Sequence, residues 1–146
     1  FIIKDININC AISDKKGYKK LYFVNDFSPL NTLDYNHLKF LKKNFSLTKK
    51  DFNEKRIKTE NVNNILKKYK FNRVDFLNID LEGLEYEAIK SINFKKFKIN
   101  LICIEILDHN KLSKNKSKKI LQILKKNKFK YLKKIGVNSI FKNLSF

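Results

Sequence analysis

Apolar residues recur along this chain with two periods, near two in some segments and near 3.6 in others. Ile6, Ile8, Cys10 and Ile12 alternate with polar neighbours and stop at Ser13-Asp14-Lys15-Lys16-Gly17, which predicts a strand closed by a turn. Lys19 to Val24 predicts a second short strand. After the loop that holds Pro29, the spacing Tyr35, Leu38, Leu41, Phe45 predicts a helix inside residues 28–53, a stretch read as an insertion or lid. Arg56 to Thr59 reads as a short extended piece. Val62, Ile65, Leu66 and Tyr69 then fall at i, i+3, i+4 and i+7 behind Asn61, a residue type suited to an N-cap, and predict an amphipathic helix.

The second half is more regular. Val74 to Asp80 and Asn100 to Leu107 are short, mainly apolar runs of the kind buried on both faces of a parallel sheet. Leu84, Ala88, Ile89 and Ile92 mark a helix between them, so the segment reads as a βαβ unit. Ser113 to Asn127 predicts another helix through Ile120, Leu121 and Leu124, and Phe129 to Leu132 and Ser139 to Leu144 predict two closing strands around Gly136. Alternating strands and helices imply an open α/β sheet, and 146 residues suffice for one domain and not two.

Composition narrows the functional classes. No run reaches the roughly 18 uncharged apolar residues of a membrane span, and no signal-peptide pattern opens the chain, so a cytoplasmic location is expected. Cys10 and Cys103 form no metal-binding or redox motif and read as small core residues. The net charge of +19 points toward polyanions. Yet only Arg56 and Arg73 carry the guanidinium fork that base and phosphate readout favours, and 81 of the 146 residues are Ile, Asn, Lys or Phe, a bias that A- and T-rich codons produce unaided. A solvated Lys surface is therefore the expected reading, and nucleic acid is not an expected partner. Met is absent even at position 1, so the expectation is a piece of a longer reading frame.

Against this basic background the acids are concentrated. Seven of the 14 (Asp75, Asp80, Glu82, Glu85, Glu87, Glu105 and Asp108) fall between positions 75 and 108, where only four lysines oppose them. Asp80 and Glu105 stand at the ends of the two apolar strands, where open α/β sheets bind ligands. Glu82, Glu85 and Glu87 have a plainer explanation, since carboxylates are favoured in the first turn of a helix. Gly83 lies in the strand-to-helix turn, a place that calls for positive φ or close approach of a ligand.

Asn78-Ile79-Asp80-Leu81-Glu82-Gly83-Leu84-Glu85 resembles the Asp-x-Glu-Gly-x-Glu signature of the FkbM family of S-adenosylmethionine-dependent methyltransferases. The likeness extends to Cys10-Ala11-Ile12-Ser13-Asp14, to Asn61 through Tyr69, to Ala88-Ile89-Lys90-Ser91, to Ile102-Cys103-Ile104-Glu105, and to the closing pieces Phe129 to Tyr131 and Asn138 to Phe141. The resemblance implies an open, mostly parallel Rossmann-like class I methyltransferase sheet. It also implies a Gly-rich cofactor loop ahead of Ile6; no GxG occurs in the chain, so residues 1–146 are expected to be one methyltransferase domain fragment, incomplete at its N-terminal side. Asn78 departs from the Lys that many members carry there.

The function implied is O-methylation of a hydroxyl on a sugar, glycan or natural product with S-adenosylmethionine as cofactor. Asp80 and Glu82 are the expected catalytic residues, Asp80 and Gly83 the expected cofactor contacts, and Glu85, Glu105 and His109 the expected substrate contacts, with no metal. The alternative is a non-enzymatic basic module that binds nucleic acid or anionic lipid through its lysines.

Overall fold

The computed structural model describes residues 5–25, 28–108 and 110–146. His109 lies outside the described residues.

Hydrogen-bonded caps start the helices where the sequence offers them. Asn61 accepts from the Asn64 amide and opens α2 (Val62–Lys68), while Asp34 accepts from the Asn36 amide and opens α1 (Tyr35–Asn44). Asn110 and Ser113 form a reciprocal capping box at the start of α4 (Lys111–Lys126), two residues earlier than apolar spacing alone predicts. The fourth helix, α3 (Glu85–Ser91), has no side-chain cap of this kind.

The strands form two mixed sheets. In the smaller, β3 (Asn53–Glu60) is central: it pairs in parallel with β1 (Ala11–Ile12), and antiparallel with β2 (Gly17–Phe23). In the larger the order is β4 (Arg73–Ile79), β5 (Lys98–Glu105), β7 (Asn138–Asn143), β6 (Phe129–Ile135). Here β4 and β5 run parallel, as a βαβ unit requires, and β7 is antiparallel to both of its neighbours.

The expected mostly parallel sheet is thus corrected to a mixed one. The cause is the tight turn at Gly136 (φ +59), which sends β7 back alongside β6 and inserts it next to β5. Two local expectations also change. The strand at Ile6 to Ile12 shrinks to Ala11 and Ile12, the only two of those residues with ladder partners, and leaves Ile6 and Ile8 exposed. Burial on both faces holds for β5, whose Ile99, Ile102 and Ile104 are fully buried, but not for β4, an edge strand whose Phe76 is 56% exposed.

The main core joins these β5 isoleucines with Ala88 and Ile89 of α3 and Leu124 of α4. A smaller cluster of Leu38, Leu41 and Phe52 seats α1 beside the small sheet, and α1 ends at Asn44, well short of Asn53. Cys10 and Cys103 are free and half-buried, not core residues in the full sense.

Candidate functional site

β4 and β5 are parallel and in register, with Ile79 opposite Ile104, so their C-terminal ends deliver Asp80 and Glu105 to the same side of the sheet. Between β4 and α3 the chain turns sharply through residues 80–84, and two successive positive φ angles make that turn: +50° at Glu82 and +107° at Gly83. For a glutamate the left-handed region costs about 1 kcal/mol or more, so the turn must be held from outside.

It is held by three groups from other elements. Thr32 Oγ donates to the Glu82 carbonyl at 2.7 Å and accepts from the Asp34 amide. Lys116 Nζ, from α4, donates to the Gly83 carbonyl and to Asp34 Oδ2, both at 2.7 Å, and reaches Glu87 at 3.3 Å. Glu85 folds back so that Oε1 accepts the amides of Leu81 (2.8 Å) and Gly83 (3.2 Å). The first turn of α1 packs directly on Gly83: a Cβ there would lie 2.9 Å from His37 Cβ and 3.2 Å from Asp34 Cβ. Gly83 is therefore required by its positive φ and by protein packed against it, both inside the chain. From the same turn of α1, His37 Nε2 approaches Glu82 Oε2 at 3.3 Å, which makes the N-terminus of α1 part of the site wall.

The expected site residues separate into distinct environments. Asp80 is exposed, and its carboxyl is held above the usual range by desolvation and by the Glu82 charge. Glu85 is 5% exposed; burial raises its carboxyl in spite of the three backbone hydrogen bonds that oppose the shift, and its Oε1 is committed to the turn. Glu105 is 8% exposed, and burial followed by the charges of Glu85, Glu82 and Asp80 pushes it up to about 7. Asp80, Glu82, Gly83, Glu85 and Glu105 thus gather at one place. Glu87 turns to Lys116 and stabilises the helix–helix contact between α3 and α4.

Thr32, Asp34, His37 and Lys116 are the members that sequence reading does not find. Asp34 alone had a local signal, as a capping residue type just before an apolar helical pattern. Near α1 the Tyr22 and Tyr35 rings lie 5.9 Å apart, with Tyr35 itself exposed. Beside Glu85 and Glu105 lies a cavity of about 40 Å³, walled by the start of α1, Gly83 and α4 and large enough for waters or an ion.

A family model described as the methyltransferase FkbM domain matches residues 2–131. The chain belongs to the FkbM methyltransferase family. Among its described residues the FkbM signature is the turn just described, with Asp80 directly after β4, Glu82 and Gly83 in the left-handed positions, and Glu85 opening α3. The match supports methyltransferase function and lends nothing to a non-enzymatic basic module. No curated protein and no solved structure matches the chain. No helix among the described residues is long and apolar enough to cross a membrane.

Proposed function

We propose that this FkbM domain transfers a methyl group from S-adenosylmethionine to a hydroxyl of a sugar, glycan or natural product. The observation that carries the reading is the convergence of Asp80, Glu82 and Glu105 at the carboxyl ends of a parallel strand pair, in a chain of a methyltransferase family. Methyl transfer from a sulfonium is an in-line displacement: the acceptor oxygen forms the new bond to carbon, the sulfur leaves as a thioether, and the hydroxyl proton passes to a base. Alignment of the two substrates contributes about 7–11 kcal/mol and general-base assistance roughly 10²- to 10⁴-fold.

Asp80 fits the role of base because it is exposed at the rim and its carboxyl is raised toward the acidity at which a base works near neutral pH. Glu82 faces the same rim, with its Oε2 3.3 Å from His37 Nε2. Glu85 sets the turn that aims both. The Gly-rich cofactor loop expected upstream of Ile6 would complete the nucleoside end of the site.

Calorimetric titration of S-adenosylmethionine into this chain and into the chain extended upstream to its natural start tests the cofactor. Binding by the extended form is expected, and its absence in a folded extended protein would overturn the reading. In the active form, Asp80→Asn and Glu82→Gln should each lower kcat/KM toward sugar hydroxyls by about 10²-fold or more; unchanged values would remove those two assignments.

A further inference from the structure

One oxygen from each of Asp80, Glu85 and Glu105 lies within 4.8 Å of the other two. Oxygens on opposite sides of a calcium ion are about 4.6–5.2 Å apart, and on a magnesium ion roughly 4.1 Å, so this set spans the shell of a single hard cation. Acidic groups often gather with no such role, and proximity alone decides nothing.

Glu105 supplies the second observation. Its side chain is more than nine-tenths buried, and Oε2 is sealed from solvent with no hydrogen-bond partner among the described residues. A carboxylate oxygen removed from water costs several kcal/mol unless a donor, a proton or a cation replaces the lost hydration. Asn138, opposite Glu105 on β7, brings no relief through Oδ1, which is itself a buried acceptor with no donor. Lys116 is occupied by Asp34, Glu87 and the Gly83 carbonyl.

Glu85 has the complementary property. The Leu81 and Gly83 amides hold its Oε1, so the carboxylate is oriented, an arrangement of supporting hydrogen bonds found behind carboxylate ligands of metals. The cavity of about 40 Å³ beside Glu85 and Glu105 leaves room for waters, which small divalent ions keep when a protein supplies only part of their shell.

We propose that Asp80, Glu85 and Glu105 bind one hard divalent cation of the magnesium, manganese or calcium class, with water in its remaining positions. The site stands whether or not the chain is a methyltransferase. If it is one, an acceptor hydroxyl that replaced one of those waters would become more acidic.

Manganese titration of the whole chain, stripped with chelator and followed by the electron paramagnetic resonance signal of free Mn²⁺, tests this with no methyl donor or acceptor present. One Mn²⁺ per chain, displaced by Mg²⁺ or Ca²⁺, is expected. Glu105→Gln should weaken binding by more than about tenfold, and Asp80→Asn, an exposed change that leaves the core intact, should do the same. Asp75→Asn, on the exposed part of β4, should leave it unaltered. No binding up to about 1 mM, or equal binding by parent, Glu105→Gln and Asp80→Asn, would overturn the proposal and leave Glu105 as a buried neutral acid.

Discussion

Lys116 and Asp34, 82 positions apart in sequence, meet at 2.7 Å on the outer side of the Glu82-Gly83 turn. Burial works against both charges, yet the hydrogen bond and attraction between them prevail, so the Asp34 carboxyl lies below its usual range and the Lys116 ammonium above. Lys116→Met would leave Asp34, Glu87 and the Gly83 carbonyl without their shared donor. A loss of about 2–4 kcal/mol in urea unfolding is expected, at the lower part of the range for broken buried pairs because Lys116 keeps some solvent contact. Adding Asp34→Asn to that variant should recover part of the loss, since the uncompensated charge is removed.

Gly83→Ala tests the contact between α1 and the turn. The new methyl group would meet His37 Cβ at 2.9 Å in a backbone conformation that disfavours any side chain. Destabilisation of about 2 kcal/mol or more is expected, together with faster amide exchange through the first turn of α1. A Gly136→Ala change, at a turn with open space around it, should cost distinctly less.

Glu105 gives stability a direction with pH. Its folded value of about 7 exceeds the ordinary 4.5, so between those limits the folded chain binds more protons than the unfolded one. The contribution is fully present below about pH 4.5 and is lost as pH rises through 7, a decline of roughly 3 kcal/mol at most. Asp34 acts the other way, because its depressed carboxyl gives stability that is present above 3.8 and lost on acidification. With chelator present, stability should peak near pH 4–5 and fall toward pH 8. In Glu105→Gln the fall should be smaller, with the part due to the raised carboxyls of Glu85 and Asp80 remaining.

The exposed flank of β4 predicts unequal costs for two apolar substitutions in neighbouring strands. Phe76→Thr, at a site 56% exposed, should change stability by less than about 0.5 kcal/mol. Ile102→Ala, in a fully buried position of β5, should cost about 2–5 kcal/mol. Denaturation of both variants against the parent checks the pair.

The elements that sequence reveals are those with local causes. Asn61 and the apolar spacing behind it define α2, and Asp80-Leu81-Glu82-Gly83-Leu84-Glu85 identifies the turn and its family. Sheet order has no local cause: the apolar runs of β4 and β5 look alike, and only the insertion of β7 beside β5 makes one an edge and the other central. Ile6 and Ile8 alternate as strand residues do, but alternation supplies no ladder partner. In the same way Lys116 is one lysine among 31, and nothing near it in sequence announces Asp34 or the Gly83 carbonyl. Thr32 and His37 belong to a stretch whose reading as a lid hid its role as a wall of the site.

The span between Asp34 and Lys116 also orders events in time. During synthesis the Glu82-Gly83 turn leaves the ribosome more than thirty residues before the lysine that grips it, so the left-handed pair at its centre has no anchor on the α4 side until that helix has formed and docked. Closing so long a loop is entropically costly and comes late in folding. Substitutions at this grip should then accelerate unfolding and leave the refolding rate nearly unchanged, which would make the acidic end of the sheet the last part of the molecule to assemble and the first to open.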